Sequence, residues 1–322
     1  MERDPSTLWR YADADDYLGA VREGLPPVII CCAINGGIQG KEYNEAIPET
    51  PDQIAEAARE ACEAGASMIH VHARSPETRW KGARTTETWR EVNRKIRDRC
   101  PEVIINNTTG ADFYVDMEDR LSCLDAGPEV ASLNLSPDMS EFRMKAREAP
   151  LEDPRGEEHV DACIPFTFGQ IRDFAAAMKE RGIKPELETY HTGAAGVVRQ
   201  LIDRDLIEPP YWIQTVMGYQ ASSLPTVDNV VNLLREFPDG ALWLCSGIGR
   251  HQLPLTTLAT LMGGHVRVGL EDNIYYRKGE KATNAQLVER AARIAGELER
   301  EVAAPAQARD IMGLADQPSN YD

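Results

Sequence analysis

The sequence predicts a (β/α)8 barrel, the TIM barrel, because short apolar runs and helical segments alternate eight times along the chain. Each apolar run has the length and composition of a strand buried on both faces of a parallel sheet. The length of 322 residues suits a single barrel. An open, doubly wound sheet is the structural alternative, but no G-x-G-x-x-G turn follows the first predicted strand, which disfavours its dinucleotide-binding form.

The elements follow this alternation in order. The eight predicted strands cover residues 27–34, 67–72, 103–107, 130–135, 184–190, 211–217, 241–246 and 265–270. Helices are predicted over residues 50–64, 86–97, 169–181, 193–203, 226–237, 254–262 and 284–302, with a short, weaker one near 116–124. The first helix has the clearest limits, because Thr50 can cap it, Pro51 suits its first turn and Gly65 ends it.

Three segments lie outside the predicted barrel of residues 27–302. Residues 1–26 form an N-terminal extension, residues 136–165 form an insertion after the fourth strand, and residues 303–322 form a C-terminal tail. The insertion is rich in charged residues and proline. No internal repeat is evident beyond the alternation of strands and helices.

The composition excludes several classes of function. The chain has 35 Lys and Arg against 52 Asp and Glu, a net charge of −17, and a pI of about 4.9. A general nucleic-acid binder needs a concentrated basic surface, so we expect no nucleic-acid partner. No run approaches the roughly 20 apolar residues that cross a bilayer, and the N-terminus lacks the apolar region of a secretory signal. Seven irregularly spaced cysteines without a C-x-x-C pair indicate a reducing, cytoplasmic location.

The second strand ends in a histidine pair. His70 and His72 are separated by one apolar residue, and residues two apart on a strand point to the same face. Both imidazoles are therefore expected in the barrel mouth, where TIM-barrel enzymes place their chemistry. Two converging imidazoles suit Zn²⁺ or a similar metal. From this motif alone, two hydrogen-bonded structural histidines are an equally good interpretation.

The eighth strand favours the metal interpretation. Strands 8 and 2 both neighbour strand 1 in a closed barrel, so Glu271 can reach the two histidines and complete a His₂Glu set with an open position. Arg267 is unusual inside a strand and needs a carboxylate partner, for which Asp272 is the best placed. An ordinary salt bridge of the barrel is the alternative interpretation of this pair.

Other strand ends carry polar or flexible residues that can orient a small substrate. Carboxylates that share one face of the fifth strand, Glu186 and Glu188, suit a cationic group or support of a metal. A Gly and Arg pair after the seventh strand, Gly249 and Arg250, suits an anion. The remaining candidates are Asn35, Gly36, Gly37, Thr108, Thr109, Gly110, Ser132, Asn134 and His191. Loop capping explains any single one of these equally well.

Taken together, these motifs resemble the β-keto acid cleavage enzyme family. The resemblance extends from about residue 27 to residue 311. Its pieces are AINGG (33–37), AGASMIHVHAR (64–74), INNTTG (105–110), PEVASLN (128–134), KPELETY (184–190), SGIGRHQLP (246–254), GGHVRVGLEDNIYYRKG (263–279) and NAQLVERAARIA (284–295). The resemblance implies a zinc-dependent TIM barrel, a dimer or a tetramer, that converts a β-keto acid and acetyl-CoA to acetoacetate and a new acyl-CoA.

The resemblance also implies roles for individual residues. It implies that His70, His72 and Glu271 hold the metal. Asp272 would be the base that deprotonates the β-keto acid, and Arg267 would hold and tune that base. Thr108 and Ser132 stand at hydroxyl positions that face the substrate. The partners implied are small molecules, a β-keto acid and acetyl-CoA.

The departures from the family pattern concern the substrate. The usual Thr of the first-strand signature is Asn35 here, and Ile38 replaces an acid that follows the signature in members with an amino substrate. Glu188 keeps the second acid position, but His191 replaces an acid often found near it. These positions leave the side chain of the β-keto acid open.

Two other classes of function fit the sequence less well. A metal-dependent hydrolase of the amidohydrolase kind also has an H-x-H pair and an acid on strand 8, but its pair lies on the first strand, and residues 211–217 offer no histidine. A scaffold without catalysis has no need of Arg267, Glu271 and Asp272 in one barrel mouth, since burying such charges costs several kcal/mol.

Overall fold

The computed structural model describes residue 19 and residues 26–110 and 113–321 of the chain. Nearly all of the predicted N-terminal extension lies outside these residues. The strands are β1 (Ile30–Ala33), β2 (Met68–Val71), β3 (Ile104–Asn107), β4 (Val130–Asn134), β5 (Asp138–Met144), β6 (Glu158–Ile164), β7 (Lys184–Thr189), β8 (Tyr211–Met217), β9 (Ala241–Gly247), β10 (His265–Val268), β11 (Tyr275–Arg277) and β12 (Glu280–Lys281).

Eight of these strands close into a barrel in the order β1-β2-β3-β4-β7-β8-β9-β10, with β10 returning to β1. All eight pairings are parallel. Each predicted strand segment contains one barrel strand, and the prediction of a TIM barrel is confirmed.

Helices connect the barrel strands. They are α1 (Pro51–Glu63), α2 (Thr86–Arg99), α3 (Ser122–Asp125), α4 (Phe168–Glu180), α5 (Ala194–Asp203), α6 (Val227–Arg235), α7 (Gln252–Leu261), α8 (Asn284–Glu297) and α9 (Pro305–Met312). As predicted, Thr50 caps α1, because its hydroxyl accepts a hydrogen bond from the Gln53 amide at 3.3 Å. The weakly predicted helix near 116–124 is a 3₁₀ turn followed by the four-residue α3. None of the described helices combines the length and the apolar character needed to cross a bilayer.

The last helix of the repeat is shorter than predicted. The segment 284–302 was expected to be helical throughout, but α8 ends at Glu297 because Glu299 takes a left-handed backbone conformation with φ of 56°. The chain then returns to the start of β1, where the Val28 amide donates to the carbonyl of Glu301 at 2.8 Å.

The C-terminal segment closes the lower end of the barrel. Inward-pointing apolar side chains of the strands, such as Cys31 and Trp212, form a buried cluster with Ala308 and Met312 of α9. The interior is therefore packed below, and the polar inward residues lie above this cluster at the carboxyl ends of the strands.

The segment 136–165 folds as an antiparallel hairpin of β5 and β6. The connection between β5 and β6 is fixed by buried ion pairs, since the Arg147 guanidinium lies 2.7 Å from Glu49 and 2.9 Å from Glu42 in the loop after β1. On its other side, Gln220 after β8 exchanges two hydrogen bonds with the backbone of Glu141, at 2.8 and 2.6 Å. The hairpin thus links the loops after β1 and β8 at the mouth of the barrel.

Candidate active site

A potential metal site lies at the barrel mouth. His70, His72 and Glu271 each offer one ligand atom, and these three atoms lie within 4.8 Å of one another. His70 Nε2 is 3.6 Å from Glu271 Oε2, and His72 Nε2 is 3.3 Å from Glu271 Oε1. Ligands about 2.1 Å from one tetrahedral zinc lie roughly 3.4 Å apart, so these separations fit a single ion.

The protonation of this group also suits a cation. Burial, followed by the charge of Arg267, holds the pKa of His70 well below its usual value, so its imidazole is neutral. Burial alone would raise the pKa of Glu271, but Arg267 and the two histidines hold it well below its usual range. Glu271 Oε2 is buried and has no hydrogen-bond partner among the described residues. Two imidazoles and a carboxylate are a donor set that binds Zn²⁺, and the residues fit the metal that the sequence implies.

Arg267 connects this group to a second carboxylate. Its Nε and Nη2 atoms each lie 3.0 Å from one oxygen of Asp272, and Nη2 also contacts Glu271 Oε1 at 2.6 Å. The Ser246 hydroxyl donates to Asp272 Oδ2 at 3.1 Å. Burial raises the pKa of the Asp272 carboxyl, and Arg267 partly offsets this. The structure therefore brings together the three expected metal ligands, the expected base Asp272 and its partner Arg267.

Glu186 stands behind one of the histidines. Its carboxylate is fully buried, with Oε1 3.8 Å from His70 Nδ1 and Oε2 accepting a hydrogen bond from the Trp212 indole at 3.0 Å. Among the described residues, neither His70 Nδ1 nor Glu186 Oε1 has a hydrogen-bond partner. A small movement would let Nδ1–H donate to this carboxylate, which leaves Nε2 free to bind a metal.

The loop after β1 is shaped around Glu271. Gly36 has a left-handed backbone with φ of 65°, and a Cβ there would lie 2.7 Å from Glu271 Cγ. The buried Arg74 donates to the carbonyl oxygens of Asn35 and Gln39 at 3.4 and 2.8 Å. Gln39 in turn donates to the carbonyl of Leu270 at 2.6 Å. Gly36 of the first-strand signature is thus required by the close approach of Glu271.

A cavity of about 1300 Å³ opens above these residues. Its lining includes the predicted residues Gly36, Gly37, Thr108, Gly110, Glu188, Gly249, Arg250, Arg267, Glu271 and Asp272. This volume exceeds the several hundred Å³ of an ordinary small-molecule pocket, so two reactants can be held together.

Other predicted substrate residues lie behind the cavity or outside it. The side-chain amide of Asn35 is hydrogen-bonded to the backbone of His72. It donates to the His72 carbonyl at 2.8 Å and accepts from the His72 amide at 3.1 Å. Ser132 accepts from the Thr109 amide at 3.1 Å and lies 3.4 Å from the Thr108 hydroxyl, so it supports Thr108 from below. The buried Asn134 lies behind Gly110.

His191 is exposed and does not line the cavity. The sequence predicts it near Glu188, because His191 directly follows the predicted strand that carries Glu188. The turn after β7 instead carries the His191 ring to Gly193, where a Cβ would lie 3.0 Å from His191 Nδ1.

Several residues that line the cavity were not identified from the sequence. They are Asp138 and Phe142 of the hairpin, Tyr190 after β7, Tyr219 after β8, and the rim residues Tyr43, Arg143, Arg277, Lys278 and Arg290. Most of these residues lie on loops or on the hairpin. The position of these segments over the barrel depends on how they pack together, which cannot be predicted from the periodicity of the strands.

Comparison with known proteins gives a consistent result. The sequence profile of the beta-keto acid cleavage enzyme family matches residues 27–314. A 3-keto-5-aminohexanoate cleavage enzyme from Fusobacterium nucleatum is 36% identical over 291 residues, 90% of this chain and 99% of that protein. A 3-dehydrocarnitine:acetyl-CoA trimethylamine transferase from Rhizobium meliloti is 31% identical over 310 residues, 89% of this chain and 96% of that protein.

A solved structure, the binary complex of ObcA with oxaloacetate, supports the fold. It superposes with a TM-score of 0.66 at 19% identity and covers 84% of this chain and 68% of that chain. At this identity the likeness concerns the barrel architecture alone.

Proposed function

The chain belongs to the beta-keto acid cleavage enzyme family, and from that premise we propose that it condenses a β-keto acid with acetyl-CoA and releases acetoacetate and a new acyl-CoA. It is an enzyme of the acyltransferase type that cleaves a carbon–carbon bond. The observation that carries the proposal is the Arg267–Asp272 pair beside His70, His72 and Glu271, all at the barrel mouth.

The reaction exchanges acyl groups between a carbon acid and a thiol. The carbon between the keto and carboxylate groups loses a proton and attacks the acetyl thioester, and coenzyme A leaves. Coenzyme A then attacks the original keto carbon, and the bond between that carbon and the former nucleophilic carbon breaks. The acetyl group ends in acetoacetate, and the original acyl group ends on coenzyme A.

The metal requirement is part of the proposal. A divalent ion, Zn²⁺ by its donor set, would be held by His70, His72 and Glu271 and would supply a Lewis acid that acidifies the protons beside the keto group. Glu186 would orient His70 for that purpose.

Asp272 is placed to act as the base. Its carboxylate lines the cavity next to Glu271 and is held by two nitrogens of Arg267, so one oxygen can take the proton without losing its orientation. Arg267 keeps its charge throughout and compensates the negative charge that develops when the carbon acid ionises. Thr108 lines the same cavity and can donate a hydrogen bond to the substrate.

The outer part of the cavity suits coenzyme A. Its lining includes five cationic side chains, Arg143, Arg250, Arg277, Lys278 and Arg290, although the chain as a whole has a net charge of −17. Cations concentrated at one edge of an acidic protein favour binding of phosphates there. The curated relative from Rhizobium meliloti carries acetyl-CoA in its name, which agrees with this assignment.

The proposal is tested by incubating the metal-loaded protein with β-keto acids of cationic, neutral and anionic side chain, with and without acetyl-CoA. Mass spectrometry should detect acetoacetate and the matching acyl-CoA only when acetyl-CoA is present. Turnover that does not need acetyl-CoA would contradict the proposal and favour a hydrolase. Size-exclusion chromatography with light scattering tests the expected dimer or tetramer.

A further inference from the structure

One wall of the cavity is acidic and aromatic. The wall is formed by Asp138 and Phe142 of the hairpin, Glu188 and Tyr190 of the β7 end, and Tyr219 after β8. The rings of Tyr190 and Tyr219 have centroids 5.9 Å apart, and those of Phe142 and Tyr219 are 6.2 Å apart. Two acidic side chains are therefore grouped with three aromatic rings in this part of the cavity lining.

Asp138 is the unusual member of this wall. It is 4% exposed, and among the described residues it forms no ion pair within 4.0 Å. Its Oδ1 accepts from the Ser140 hydroxyl at 2.9 Å, and Ser140 contacts the Tyr219 hydroxyl. A carboxylate buried with only hydroxyl partners is costly, because hydrogen bonds do not replace a counter-charge. A cationic ligand in the cavity would provide that counter-charge.

Glu188 is the second acid of the wall. It lies 7% exposed, with Oε1 3.7 Å from Arg267 Nη1, and the Tyr190 hydroxyl is 3.4 Å from Oε2. Arg267 already contacts Glu271 and Asp272 at 2.6 and 3.0 Å, so it balances Glu188 only in part. Burial raises the pKa of Glu188 to about 8, an effect that Arg267 offsets only in part, and burial also raises the pKa of Asp138.

We propose that this wall binds the side chain of the β-keto acid and selects substrates whose side chain ends in an ammonium group, either protonated or quaternary. The proposal rests on the proposed function, because it assigns the substrate class of the same cavity. Electron-rich faces of tyrosine and phenylalanine attract cations, and a bound cation would hold both carboxyl groups of the wall in their charged form, which adds charge attraction. The wall lies beside Glu271 and Asp272 in one cavity, so a substrate held at the reacting end can direct its side chain toward Asp138.

Positive groups near the wall do not remove this preference. Arg120, in the segment after β3, acts electrostatically on Asp138, and it donates a hydrogen bond to the Thr109 carbonyl at 3.1 Å. Arg143 of the hairpin is exposed. The hairpin itself is held by the buried ion pairs of Arg147 and by Gln220, so Asp138 and Phe142 are positioned before a substrate arrives.

The test compares three β-keto acids of equal chain length that end in a trimethylammonium group, in its neutral tert-butyl isostere, or in a carboxylate. With acetyl-CoA, we expect kcat/KM to be about tenfold or more higher for the cationic acid than for the isostere. In Asp138→Asn this ratio should fall at least fivefold. Asp161→Asn, an exposed aspartate on the same hairpin, is the matched control and should keep the ratio. A ratio near one in the parent protein, or an unchanged ratio in Asp138→Asn, would overturn the proposal.

A binding measurement separates this proposal from the proposed function. Calorimetry with 4-trimethylammoniobutyrate and its carbon isostere 5,5-dimethylhexanoate needs no turnover and asks only which ligand the wall prefers. Tighter binding of the cation, weakened by Asp138→Asn and not by Asp161→Asn, supports the wall even if no acyl-CoA is formed. Equal binding of the two ligands contradicts it even if acyl transfer is observed with every keto acid.

Discussion

The guanidinium of Arg267 and the carboxylate of Asp272 form a bidentate ion pair inside the barrel, with Nε 3.0 Å from Oδ2 and Nη2 3.0 Å from Oδ1. The same Nη2 atom lies 2.6 Å from Glu271, one of the three potential metal ligands. One arginine therefore fixes both the candidate base and a metal ligand. The planar guanidinium group can hold a carboxylate in this way, because two parallel N–H bonds fix its orientation as well as its distance.

The first prediction concerns Asp272. The substitution Asp272→Asn keeps the size of the side chain but cannot accept the proton, so kcat should fall by roughly 100-fold or more. Metal content, measured by plasma mass spectrometry, should stay near that of the parent because Asp272 is not a ligand. Turnover within a fewfold of the parent would remove Asp272 as the base.

The second prediction concerns the metal ligands. His70→Ala and Glu271→Gln should each lose bound metal and activity, while circular dichroism reports an unchanged fold. His159→Ala removes an exposed histidine of the hairpin and is the control that should keep its metal. Full metal content in both ligand variants would contradict the assignment of the site.

The third prediction concerns Glu186. A carboxylate 3.8 Å from His70 Nδ1 orients the ring and increases its basicity as a ligand, so Glu186→Gln should weaken metal affinity about 10–100-fold. Competition with a chromogenic chelator measures this affinity. Glu188→Gln changes the next inward carboxylate of β7, which does not contact His70, and should leave metal affinity within about twofold. Equal weakening in both variants would indicate a general effect of charge on the site.

The fourth prediction uses a histidine below the site. Burial lowers the pKa of His265 to about 3, and its Nδ1 accepts a hydrogen bond from the Ile29 amide at 3.0 Å. The folded pKa lies below the unfolded value of about 6.5, so the unfolded chain binds the proton first as pH falls. Keeping His265 neutral thus contributes fully to the free energy of unfolding above pH 6.5. This contribution is lost as the pH falls from about 6.5 to 3, by at most about 1.4 kcal/mol per pH unit.

Urea unfolding of the parent and of His265→Gln measures this contribution. The free energy of unfolding of the parent minus that of the variant should be roughly 1.4 kcal/mol smaller at pH 5.5 than at pH 7.5. Carboxylates that titrate in both proteins cancel in this difference. A difference that does not change with pH would mean that His265 is not held neutral in the folded chain.

Much of the barrel and of the metal site could be predicted because both follow from strand periodicity. Alternation along β2 places His70 and His72 on the inner face, and closure of the barrel brings Glu271 next to them across β1. Arg267 requires a buried acid, and Asp272 is within reach along the same turn. These inferences need only local spacing and the order of the strands.

The acidic aromatic wall could not be predicted in this way. Asp138 and Phe142 lie on a hairpin whose position depends on the ion pair between Arg147 and Glu49, residues far apart in the chain. No local pattern reports such a pair. His191, in contrast, was expected at the cavity but lies outside it. The alternation that turns Glu188 inward ends with β7 and does not continue through the turn that follows.

The central claim is that acyl groups are exchanged through a new carbon–carbon bond. It is tested most directly with acetyl-CoA that carries ¹³C at both acetyl carbons, an unlabelled β-keto acid, and mass spectrometry of the products. Both labelled carbons should appear in acetoacetate, and the new acyl-CoA should be unlabelled. Label retained in the thioester while the β-keto acid is consumed, or acetoacetate without label, would contradict it.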